Sequence, residues 1–130
     1  MQKTLVATLA VFVAWLVLDF FMHGVLLRGA YASTPALWRP AGEAKMPLYI
    51  LTLLVGAYCF CRIYDGWIRP RTPRTGLLYG TWFGIGTGIA MGYGTYAFQP
   101  VPYYMALTWF LGRTVEAVVA GMLVGALVRD

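Results

Sequence analysis

The sequence predicts an all-α, polytopic membrane protein, four transmembrane helices in an antiparallel bundle, and three observations carry that expectation. Of 130 residues, 60% are hydrophobic and 12% charged, with a mean hydropathy of +0.67, too apolar for a water-soluble domain of this size. Four windows, 4–27, 47–64, 76–98 and 103–128, are apolar over roughly the 17–25 residues a helix needs to cross a hydrocarbon core. The segments between them gather six of the seven prolines and most of the charges. Residues 1–130 therefore read as one domain.

The basic residues are sorted by position. With a cytoplasmic N-terminus, Lys3, Arg62, Arg69, Arg71, Arg74 and Arg129 fall inside, Arg28, Arg39 and Lys45 outside, and Arg113 within the membrane. The positive-inside rule then places both termini in the cytoplasm. The formal charge of +5 is thus a topology signal rather than a nucleic-acid face. The run Arg69 to Arg74 also suits anionic headgroups.

Helix 1 (4–27) carries Asp19 and His23, four residues apart and so on one face near its outer end. Lys3, the apolar run and Ala30-Tyr31-Ala32 resemble a cleavable leader, but the run is too long and includes Asp19 and His23, so a retained helix is expected. The connection 28–46 is too polar for lipid. Within it Thr34-Pro35 opens and Pro40 closes a short interfacial helix over 35–39, whose Trp38 joins Tyr31, Tyr49, Tyr103 and Tyr104 in an outer aromatic belt.

Helix 2 (47–64) starts on Pro47, where a missing N–H costs nothing, and ends with Arg62 snorkelling to the surface. Cys59 and Cys61 point to different faces, cannot form a Cys-x-x-Cys pair, and read as buried reduced thiols. The loop 65–75, with two prolines, is cytoplasmic.

Helix 3 (76–98) holds the most regular pattern in the chain, a glycine zipper of Gly76, Gly80, Gly84, Gly88 and Gly92. Small residues at this spacing let backbones approach. A four-residue period advances about 40° per step beyond a turn of 3.6 residues, so the groove is expected to spiral around the helix, open to use by more than one neighbour. The ladder reads first as a packing groove; its functional version is a flexible gating helix or a backbone-lined conduit. The spacing is not that of a dinucleotide fingerprint.

A tight turn, Gln99 to Pro102, makes helices 3 and 4 antiparallel neighbours. Helix 4 (103–128) adds Gly121 and Gly125, and near its middle Arg113 and Glu116, where a charge costs about 2.5–3.5 kcal/mol on insertion-derived scales. At about 1.5 Å per residue, Asp19 and Arg113 lie at similar depth. The arginine is therefore expected to bridge two carboxylates, Asp19 and Glu116.

Asp19, His23, Arg113 and Glu116, with Tyr96 among nearby outer-half tyrosines and threonines, form the candidate ligand or ion site. One reading is a proton or ion relay, or a polar site for a small amphipathic ligand, open to the outer face. The other is a structural network that sets helix register. No metal or other cofactor is expected: one histidine and two carboxylates make a thin metal site, and haem would lack a second axial ligand. Ser33 is the only serine and no nucleotide loop is present, so hydrolase and transferase readings have no support. An enzyme acting on a lipid or quinone has only the aromatic residues and carboxylates behind it.

The strings LDFFMHGVLL (18–27), LWRP (37–40), GTYAF (94–98), ALTWFLG (106–112) and VE (115–116) resemble an uncharacterised family of small bacterial four-helix integral membrane proteins. The resemblance spans most of the chain. It implies a bacterial inner-membrane protein with four helices, and it implies no activity, ligand or catalytic residue. Small multidrug transporters, with a lone glutamate in helix 1, and fluoride channels, with asparagine positions that this chain lacks, fit less well. Two functional classes follow: a protein that binds or conducts a small solute or proton, or a non-catalytic accessory subunit of a larger membrane complex. The bilayer is the expected partner, together with a second copy or that complex.

Overall fold

The computed structural model describes residues 1–130, and it is helical throughout with no strand. The elements are α1 (Gln2–Phe21), which runs straight into a π-helical turn (Met22–Leu26), then α2 (Arg28–Ser33), α3 (Met46–Trp67), α4 (Pro73–Phe98) and α5 (Tyr103–Leu127). Three stretches are long and apolar enough to cross a membrane: Gln2–Leu26, Met46–Trp67 and Tyr103–Leu127, with mean hydropathies of 2.4, 1.7 and 1.6. α4 matches them in length, but its face toward α5 is glycine, which adds little to hydropathy.

α1 packs between α3 and α5, and α4 lies along α5. The α4–α5 contact is a backbone contact. A Cβ on Gly76 would overlap the Gly121 carbonyl oxygen, one on Gly80 the Ala117 carbonyl oxygen, and one on Gly92 would sit 2.5 Å from that of Ala106. Gly84 and Gly88 face Thr114 and Phe110 in the same way, and Gly125 meets Pro73 and Gly76. All five ladder glycines thus face one neighbour, where a groove spiralling around the helix and open to more than one neighbour was expected. A repeat longer than 3.6 residues stays on one partner when the two helices coil around each other in the right-handed sense. Gly121 and Gly125 are spent inside the chain as well.

One end of the bundle is closed by aromatic side chains. Phe60 of α3 stacks on Tyr79 and Phe83 of α4 at 4.5 and 5.1 Å between ring centroids, and the Tyr79 hydroxyl donates to the Phe60 carbonyl at 2.9 Å. Trp15, Tyr64 and Val124 complete this core. A second core at the opposite end joins Met22, Leu27, Ala30, Val101, Met105 and Trp109. Large apolar side chains such as Val17, Phe20, Leu51 and Val55 point outward. Cys61 is buried but Cys59 is on this outer face, because residues two apart on a helix cannot both face the core.

The connection after the π turn departs from the expected helix over 35–39. The helix lies earlier, at Arg28–Ser33, and Pro35–Leu37 and Ala41–Glu43 are single 3₁₀ turns. The hydroxyls of Ser33 and Thr34 both donate to the Ala30 carbonyl, at 2.8 and 2.9 Å, and so compete with the backbone and end α2. Trp38 is already extended, short of Arg39, whose helical conformation Pro40 disfavours. By contrast α4 begins on a complete capping box, Thr72 with Thr75, followed by Pro73 at the first helical position.

Candidate functional site

Four helices frame a cleft of about 350 Å³. Asp19 comes from α1, His23 from the π turn, Tyr49 and Thr52 from the start of α3, Met91 from α4, and Arg113 and Glu116 from α5. The cleft sits above the Phe60 and Tyr79 layer, on the side away from the chain termini. Asp19, His23, Arg113 and Glu116 are therefore brought together. Tyr96 is not: it is exposed, with its ring edge-on to Tyr103 at 5.8 Å.

The pairings differ from the expected bridge. Arg113 Nη1 lies 3.4 Å from Glu116 Oε2, an i,i+3 pair on α5, and it makes no ion pair with Asp19. Asp19 accepts instead from the Tyr49 hydroxyl, Oη to Oδ2 at 2.5 Å, and its other oxygen is 4.0 Å from His23 Nε2. Asp19 and Glu116 both line the cleft. The guanidinium is held from below by the Trp15 ring, 4.5 Å from its centroid, a cation–π contact. Trp15 Nε1 donates in turn to the Glu116 backbone carbonyl at 2.9 Å.

This arrangement leaves polar atoms idle. Glu116 Oε1 and Arg113 Nε are buried without a hydrogen-bond partner, and the Glu116 side chain is 5% exposed. An unmade hydrogen bond on a buried group costs about 1–3 kcal/mol, more for a charged one. Formally the cluster carries two carboxylates against one guanidinium, an excess of negative charge in a setting that solvates it poorly.

On the side away from the Phe60 layer, the cleft is bounded by a hydrogen-bonded aromatic cluster. His23 Nδ1 is 2.5 Å from the Tyr31 hydroxyl, and Trp109 Nε1 donates to that same hydroxyl at 3.0 Å. The pattern that leaves no donor unused has Tyr31 donating to Nδ1, which puts the histidine proton on Nε2, toward Asp19. Burial raises the Tyr31 phenol above its ordinary value, against a lowering by the Trp109 hydrogen bond. It stays neutral and keeps its proton for His23. Tyr31, Trp38 and Trp109 stack edge to face at 5.0 and 6.1 Å.

Trp15, Tyr49 and Tyr31 escape a reading confined to charged residues. Trp15 has a signal, since it lies four residues before Asp19 and shares its face. Tyr49 and Tyr31 read as belt residues, and nothing local separates a belt tyrosine from one that turns inward. The π turn, closed by Leu27 N–H to the Met22 carbonyl at 2.9 Å, has no signal beyond Gly24 in an apolar run. Such turns recur at functional sites because they rotate the following residues relative to the helix before them. Here Leu27 and Ala30 turn into the core beside His23.

Compared with protein-family models, with curated proteins and with solved structures, the chain matches none.

Proposed function

We propose that the chain is a bacterial inner-membrane protein with four transmembrane helices and both termini in the cytoplasm, which binds a proton or small cation in this cleft and exchanges it with the outer face. The observation that carries the reading is Glu116, a carboxyl almost completely buried, with one oxygen idle, beside a second carboxyl and a cleft large enough for a small solute. A network built for register would be expected to satisfy every member. The idle oxygen, the excess negative charge and the adjoining space all favour a positively charged guest.

Four crossings are favoured because α4 touches the α5 backbone from Gly76 to Gly92 and so shares its depth. The sorting of lysine and arginine supports the orientation, and the likeness to the small four-helix family supports the bacterial inner membrane. From the outer side, Tyr31, His23, Asp19 and Glu116 form an ordered series of proton-bearing groups. Tyr31 fixes the His23 tautomer, and His23 Nε2 faces Asp19. As Tyr31 takes up a proton from the outer face it hands its own to His23 Nδ1, Nε2 releases its proton to Asp19, and Asp19 passes it to Glu116, with Arg113 compensating the charge that remains.

The test is proton or cation flux, and binding, in liposomes containing the purified protein. Glu116→Gln and Asp19→Asn are each expected to abolish the signal while the protein still folds. An unchanged signal in both variants overturns the proposal.

A further inference from the structure

Glu116 borders two spaces. Besides the polar cleft, it is one of the residues lining an apolar groove of about 330 Å³ between α1 and α5. Leu18, Phe21 and Leu26 line one wall and Leu111 and Val115 the other. Val115 and Leu111 are about half exposed on the outside of the bundle, so this groove opens sideways, toward the acyl chains when the bundle spans a bilayer. Met22 is common to the groove and the cleft. It is fitted against Gly112, where any Cβ would overlap the Met22 sulfur. Met22, an unbranched, flexible thioether at the first residue of the π turn, thus stands with Glu116 between the two spaces.

We propose that the guest of this site is an amphipathic monocation, an alkylammonium whose charged head sits at Glu116 and Asp19 and whose apolar tail lies in the α1–α5 groove, reached from the bilayer past Met22. The inference rests on the cation-binding reading of the cleft and names its ligand class. The head is specified by charge, since two carboxyls line the cleft against one guanidinium. The tail is specified by continuity: the same glutamate lines a groove whose other walls are aliphatic and aromatic. A small hydrophilic cation would need only the cleft and would leave the groove without a role.

The experiment uses the full chain in nanodiscs and compares equilibrium binding of dodecyltrimethylammonium and tetramethylammonium, with empty nanodiscs subtracted. Dodecyltrimethylammonium is expected to bind saturably, one per chain. Val115→Trp, which fills the groove from a half-exposed position and leaves the core alone, is expected to weaken it by about tenfold or more and to leave tetramethylammonium unchanged. Leu111→Trp, from the same wall, repeats the test should the first variant fold poorly. Glu116→Gln is expected to abolish binding of both. If the tryptophan variants bind dodecyltrimethylammonium as the parent does, or lose both cations alike, the groove has no part in recognition and the inference falls while the cleft reading stands. If neither cation binds and proton flux is indifferent to Glu116→Gln, the cleft reading itself falls and takes this one with it.

Discussion

The chain has two charge clusters, one buried in the cleft and one partly open to solvent at the opposite end, and they are built differently. At the end that holds both termini, Asp65 accepts from Thr4 at 2.7 Å and Arg62 at 3.3 Å on one oxygen and from Arg71 on the other. Arg71 goes on to Asp130 through Nε at 2.7 Å and through its backbone N–H at 2.8 Å. Each carboxylate oxygen there has a partner, and the network ties α1, α3, the loop before α4 and the chain end together. In the cleft, Glu116 is more deeply buried than Asp65, 5% against 16% side-chain exposure, yet one of its oxygens has no partner. Burial and satisfaction therefore run in opposite directions. The saturated cluster is a clasp; the unsaturated one beside open space is what the cation-binding proposal rests on.

That contrast can be broken experimentally, and the largest effect is expected at Arg113. Arg113→Ala leaves Glu116 buried without its cation and should destabilise the protein by about 3–5 kcal/mol, measured by equilibrium unfolding in detergent. The double variant Arg113→Ala/Glu116→Gln should recover most of that loss, because position 116 no longer carries a charge that has lost its cation. Full additivity of the two changes would mean that the pair is not coupled.

Asp65→Asn comes next. It weakens charge-assisted hydrogen bonds at the clasp and should cost about 2 kcal/mol, with cation binding at the cleft unaltered. Altered binding would show that the two clusters are not independent. Tyr49→Phe removes the hydroxyl that Asp19 accepts from and should cost about 1 kcal/mol in the same unfolding assay, while shifting the pH dependence of flux, since the freed carboxylate oxygen becomes available to a proton or guest. An unchanged pH profile would place Tyr49 outside the relay.

The smallest effect is expected at Asp130. The Arg71 backbone N–H and then its guanidinium hold the Asp130 carboxyl below its ordinary value. A depressed folded value means that this contact stabilises above the unfolded value and is lost as the pH falls through the folded one. The protection of the Arg71 amide against hydrogen exchange, taken relative to the intrinsic rate at each pH, should therefore fall below about pH 4, with the rest of the bundle unaffected. Protection that persists through strong acid would show that the Asp130 carboxylate is not its source.

Half of this contrast is legible in the amino-acid sequence. Charge at the centre of an apolar window marks Arg113 and Glu116, i,i+4 spacing marks Asp19 and His23, and a glycine every fourth residue marks a close backbone contact. The pairing is not legible. Similar depth puts Arg113 near Asp19, but depth along an axis says nothing of rotation about it, and the arginine turns to its own helix while Tyr49 takes Asp19. The clasp is hidden for a related reason: Thr4, Asp65, Arg71 and Asp130 are far apart in the chain, and each alone looks like an ordinary interfacial polar residue.

Composition and periodicity by themselves determined the helices, their apolar character and the presence of charge within them, because those properties are local and follow from 1.5 Å of rise and one side chain per residue. Only the tertiary structure decided that α1 lies between α3 and α5, that all the ladder glycines are spent on α5, and that Glu116 lines both a polar cleft and an apolar groove. Each of these depends on how helices are rotated against one another. That rotation is set by the summed packing of many side chains rather than by any one of them.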